Sequence, residues 1–260
     1  MADFIFVRKS RNILSSILHV VLNIALGAGS VLITMATKSP FLGILLVVLS
    51  KWRMFAVRPR YWWLNIKSNL VDLIVGIAFV LISYCTGTIF LPVHVITAVL
   101  YSFWLVFLKP RSTEFATNFQ ALWAVFFGTI ALTMMTASAD PIFMVAGCFI
   151  IGYAAARHVL IQGDDNNFNI IMLAGGLIAA EIAWLCRSWL IVYSFSDLGI
   201  IIPQLSIILS IFAYTFGYVY HSITANEGKL KWNEVGMPTI FAILLISIIV
   251  VWFSQPIFNV

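Results

Sequence analysis

PFLGILLVVLSKWRMFAVRPRYWWLNIK, residues 40–67, decides how often this chain crosses a membrane. Its apolar core, Phe41 to Leu49, is short, and Lys51 and Arg53 follow at once. A helix needs about 20 apolar residues to span a bilayer. Read through to Val57, the stretch is a second transmembrane helix; read as ending near Leu49, it is a re-entrant or tilted segment.

The rest of the sequence sets the frame for that choice. Of 260 residues, 62% are hydrophobic and 10% are charged, against roughly 25% charged in soluble domains. The expected fold is an all-α integral membrane protein, a polytopic bundle occupying 1–260 as a single transmembrane domain with no soluble domain. Apolar runs fall at approximately 13–35, 40–57, 68–86, 88–108, 116–136, 141–162, 168–194, 200–221 and 237–257. That makes about nine transmembrane helices, with eight as the alternative if 40–57 does not cross. The separators carry breaker residues such as Pro40, Gly87, Pro110, Pro141, Gly163 and Pro203. The first run is longer than a signal-peptide core and lacks an A-x-A site, so it is expected to remain as a helix.

Basic residues test the count, because they collect in cytoplasmic loops. With nine crossings, Arg8, Lys9, Arg11, Lys51, Arg53, Arg58, Arg60, Lys67, Lys109, Arg111, Arg157, Lys229 and Lys231 fall on one side. That is thirteen of the fifteen; Lys38 falls opposite and Arg187 lies within a span. The expected placement is a plasma (inner) membrane with the N-terminus cytoplasmic and the C-terminus outside. The net charge of +5 is then loop charge, and nucleic acid is not an expected partner.

Polar residues inside spans are the candidates for function. Glu181 and Arg187, in AAEIAWLCRSW (179–189), are six residues apart, hence about 9 Å and 120° around a helix, too far for an intrahelical pair. Gly175, Ala179 and Ala183 form a small-residue stripe at spacing four, with Gly176 and Ala180 beside it, and this lets a neighbour pack closely. Glu181, flanked by the stripe, is expected to face the bundle interior. There it serves as a proton or ion coupling group or as a structural hydrogen-bond anchor. Asp72 and Arg157 lie at similar depth toward the inner face and are expected to pair. Tyr84, His94, Arg187 and Gln204 lie toward the outer face and are expected to form a polar vestibule, with Arg187 attracting anions or reaching headgroups. The histidines show no metal-ligand spacing, and no metal or cofactor is expected.

In residues 51–67, Lys51, Arg53, Arg58, Arg60 and Lys67 alternate with Trp52, Phe55, Tyr61, Trp62 and Trp63. Cations favour anionic headgroups and aromatic rings favour the interface, so this reads as an interfacial segment or a surface for a membrane partner. Pro59 argues against a continuous helix through it.

Signatures of lipid-processing enzymes are absent from the sequence, the loops are too short for a catalytic pocket, and the last four spans hold no Lys for a retinal Schiff base. The leading expectation is a transporter or channel for a small solute or ion, with Glu181 as the acid for proton coupling. The alternative is a non-catalytic subunit or assembly scaffold packing on partner membrane proteins, or on further copies of itself.

Overall fold

The computed structural model describes residues 2–87, 90–160, 168–189, 191–195, 199–226 and 228–253, with side chains from Ser15 onward. The chain is a multi-pass bundle of helices: α1 (Ala2–Thr37), α2 (Pro40–Ser50), α3 (Trp62–Ser68), α4 (Leu70–Thr86), α5 (Leu91–Phe103), α6 (Glu114–Thr136), α7 (Pro141–Leu160), α8 (Phe168–Arg187), α9 (Gln204–Ala225) and α10 (Trp232–Trp252). By length and hydropathy, seven are fit to cross a membrane, and an eighth span results if 59–68 and α4, bent by 70°, count as one. Arg8, Lys9 and Arg11 lie outside the residues whose side chains are described.

The full second span expected over 40–57 is not formed. α2 holds 11 residues, about 16 Å of helix against a hydrocarbon core of about 30 Å. Two 3₁₀ turns, Trp52–Met54 and Pro59–Tyr61, follow it. Pro59 removes a backbone donor and biases Arg58 to extended geometry, observed at ψ 139°. The Trp62 indole seals the break by donating to the carbonyls of Phe55 (3.1 Å) and Val57 (3.0 Å).

Although short, α2 descends alongside α4 in the opposite direction. Gly43 lies against Val80, Val47 lies against Gly76, and Lys51 reaches Asp72. Behind this pair sits a core of Val47, Val75, Phe79, Tyr101, Trp104 and Leu105. A ladder of aromatic rings at helical spacing, Phe115, Phe119, Trp123 and Phe127, runs up α6 and meets Phe79.

A second core joins α6, α7, α8 and α9 through Val125, Cys148, Ala179, Ala183 and Leu205. The small-residue stripe of α8 packs on α7 so closely that a Cβ on Gly152 would stand 2.8 Å from the Gly175 carbonyl oxygen.

Two expected helix ends are corrected. The 168–194 and 200–221 runs give way to an antiparallel hairpin, β1 (Val192–Phe195) with β2 (Ile200–Pro203). Branched and aromatic residues suit a strand, and Gly199 supplies a positive φ of 65° at the turn. The last helix starts at Trp232, not near 237, and carries Pro238 inside it.

Candidate functional site

One end of the bundle carries a buried charge cluster. Asp72, in the first turn of α4, receives Lys51 from the end of α2 and the Lys109 ammonium at 2.8 Å on the same oxygen, Oδ2. Its other oxygen accepts the Trp104 indole N–H at 3.0 Å. α5 continues into a five-residue π-helical turn, Trp104–Leu108, which brings both Trp104 and Lys109 to Asp72. Lys51 is 6% exposed and Asp72 9%. Two cations on one carboxylate leave the cluster with a net positive charge.

The expected Asp72–Arg157 pair is therefore not formed. The Arg157 guanidinium, on α7, donates to the Lys67 carbonyl at 2.5 Å. That carbonyl is exposed to a partner because α3 ends there and the chain turns sharply into α4. His158 follows on α7 and meets the Gln120 carboxamide oxygen at 2.8 Å, while Gln120 donates to the carbonyls of Leu108 and Arg111. These bonds tie the α5–α6 connection to α7 at the charged end.

The outer residues do not converge into one vestibule. His94, 3% exposed, bridges the Ser83 hydroxyl (2.8 Å) and the Gly87 carbonyl (2.5 Å). Gln204, 2% exposed, donates to the Ile249 carbonyl at 2.9 Å and to the Tyr193 hydroxyl at 3.3 Å. Arg187 donates to the carbonyls of Ala137 and Ala139 at 3.3 and 3.4 Å, at the C-terminal end of α6. A cation suits that end, where unpaired carbonyls gather. A cavity of about 390 Å³ does open nearby, lined by Thr34, Met35, Lys38, Ser83, Tyr84 and Cys85. Of the four expected vestibule residues only Tyr84 lines it, with His94 one contact behind.

Glu181 is the largest departure. It is exposed, on the outward face of α8 with Leu173, Leu177 and Trp184, and does not point into the bundle. Its distance from the stripe explains this. Glu181 is two residues from both Ala179 and Ala183, hence about 160° around the helix from each. Neighbours in sequence are opposite in space. Among the described residues, no hydrogen bond or ion pair to the Glu181 carboxylate is formed.

In 51–67, Arg53, Arg58, Arg60, Trp62 and Trp63 are exposed, whereas Lys51 is drawn inward. Two of the cations lean on rings, the exposed Arg60 over Tyr61 at 4.6 Å and the half-buried Lys67 over Trp63 at 5.0 Å.

Sequence reasoning missed Lys109 and Trp104, which looked like a loop cation and a span residue. It also missed Glu114 and His221, which pair at 2.6 Å across α6 and α9. Their signal was depth: Lys109 closes the α5 span and Glu114 opens α6 on the basic side, and Trp104 and His221 each lie four residues inside the end of theirs. Comparison of the chain with protein families, curated proteins and solved structures gave no match.

Proposed function

We propose that the protein is a non-catalytic membrane subunit or assembly factor, and that the outward face of α8 docks a partner transmembrane helix presenting a cation to Glu181. The observation that carries this reading is the position of that carboxylate. Glu181 lies about 5 Å past the midpoint of α8, exposed on a face otherwise made of Leu173, Leu177 and Trp184. An acid at mid-bilayer costs about 2.5 to 3.5 kcal/mol even on lenient scales, and such groups pair or line cavities. Here the pairing group comes from another chain. Charge complementarity makes that group a Lys or Arg in an apolar helix.

The topology belongs to the same proposal. α2 links the Lys38 end of the bundle to the Lys51 end, so it counts as a short ninth crossing. The termini then lie on opposite sides, with the basic end and residues 51–67 in the cytoplasm against anionic headgroups, in the plasma (inner) membrane.

The test places a photo-crosslinking residue at Leu177 and, separately, at Trp184 in the full chain expressed in its own membranes. The expected product is an adduct to an apolar segment of a different protein that contains a Lys or Arg, lost with Glu181→Lys and kept with Glu181→Asp. Adducts to lipid alone, or only to a second copy of this chain, overturn the reading.

A transport function draws support from a different observation, the polar cavity at the Lys38 end. In that case Ser83→Trp, which fills the cavity, abolishes flux in reconstituted vesicles; under the subunit reading the purified chain carries no flux to lose.

A further inference from the structure

α8 packs tightly on α7 but loosely on α9, and a slot lies between α8 and α9, backed by α6 and α7. It measures about 480 Å³, within the roughly 300–1,000 Å³ of small-molecule sites. Small residues make its floor: Gly152, Ala155, Ala156, Gly175 and Ala179. Phe119, Leu122, Phe212 and Phe216 make its walls. From Leu209 to His221 it follows α9 for about 18 Å. Its side is open, since Phe115 is 81% exposed and Tyr214 58%.

Polarity changes along this length. Asn118, Tyr218 and His221 sit at one end, beside the Glu114–His221 contact. The opposite end, at Val125, Cys148 and Leu209, is apolar. The polar end lies where Lys109 and Arg111 lead into α6 at Glu114, and it also holds the Glu114 and Glu234 carboxylates, the latter bonded by Ser222 at 2.8 Å with Lys231 at 3.8 Å.

We propose that this slot holds one acyl chain of a bilayer phospholipid, with the phosphate and ester oxygens at Asn118, Tyr218 and His221. An apolar slot open to hydrocarbon offers water no partners, and left unfilled it forfeits dispersion contacts along its walls. The occupant must be long, apolar and polar at one end, and it must enter sideways from the membrane. A phospholipid chain meets all of these conditions. The donors at the polar end are the Asn118 amide, the Tyr218 hydroxyl and the Nε2 side of the His221 imidazole, whose Nδ1 is held by Glu114; phosphate and ester oxygens accept from such groups. The site is on the far side of α8 from Glu181 and stands independently of the partner reading.

The full chain reconstituted in phosphatidylcholine vesicles, with a small share of the lipid carrying a photoactivatable diazirine on one acyl chain, tests this. After irradiation, adducts are expected to concentrate on Phe119, Leu122, Phe212 and Phe216. Gly217→Leu fills the slot from α9; a Cβ there meets only Asn118, at 3.4 Å. Slot labelling should fall about tenfold, the loss that accompanies about 1.4 kcal/mol of binding. Ala213→Phe fills the same space and decides the matter if Gly217→Leu does not fold, as judged by its melting curve. With His221→Ala the adducts should spread along the slot as the headgroup loses its anchor. Adducts distributed evenly over outward faces such as Leu173 and Phe241, or slot adducts undiminished in a folded filling variant, overturn the proposal. Unchanged adduct positions in His221→Ala overturn the headgroup placement.

Discussion

Lys51 and Asp72, 21 residues apart in the chain, meet as a buried ion pair where α2 ends and α4 begins. This contact fixes the depth of α2, because a helix shorter than the hydrocarbon core is thick must end where its terminal cation finds a partner. Removing one member leaves the other charged and unpaired in a dry setting. Asp72→Asn is expected to destabilise the bundle by about 3 to 5 kcal/mol. Lys51→Met combined with Asp72→Leu should cost less than Asp72→Asn alone. Lys109→Ala should cost about 1 kcal/mol or less, since its side chain is 43% exposed. Melting curves of the purified variants in one detergent give all three values.

The course of α2 between the two ends of the bundle predicts opposite sidedness for its flanks. With the native cysteines replaced by Ala, Lys38→Cys and Arg58→Cys should react with an impermeant thiol reagent from opposite sides of sealed vesicles. Reaction of both from the same side makes α2 a re-entrant segment and places the termini together.

The α7–α8 contact predicts a sharp contrast between two glycines. At Gly152 a new side chain would meet the Gly175 carbonyl and the Ala179 Cβ, at 2.8 and 2.5 Å, and backbone cannot move aside without parting the helices. Gly152→Leu should cost about 2 to 3 kcal/mol. Gly29, with nothing within 4 Å of a Cβ, should accept leucine with little change in melting temperature.

Arg187 should behave as a helix cap. Arg187→Gln is expected to cost about 1 kcal/mol through the lost interaction with the carbonyl end of α6, with Arg187→Lys recovering part of it. A far larger loss on thermal unfolding would mean that the guanidinium does more than cap Ala137 and Ala139.

Most spans are legible because their composition is extreme, but the end of α2 is not: the apolar run reads through to Val57, whereas the helix stops at Ser50, and Pro59 marks only the later break before Trp62. The sequence also located the tight face of α8, since Gly175, Ala179 and Ala183 recur at helical spacing. The partners of the charges were not legible. Depth alone paired Asp72 with Arg157, but the lateral order of helices put α2 and α5 against Asp72 and left Arg157 to a backbone carbonyl. Closeness to the stripe along the chain does not put Glu181 beside it in space. Two residues on a helix is nearly half a turn.

The short second helix also bears on how the protein is made. Synthesis runs from the N-terminus, so Lys51 leaves the ribosome before Asp72 exists to receive it, and Trp104 and Lys109 come later still. Until then α2 ends in an unmatched cation and has too little apolar length to hold itself across the bilayer. Its final depth is set only when α4 and α5 have entered and closed around it. The Asp72 contacts therefore join the ends of α2 and α5 to the start of α4 as one unit, whose members find their partners only after the last of them has been made.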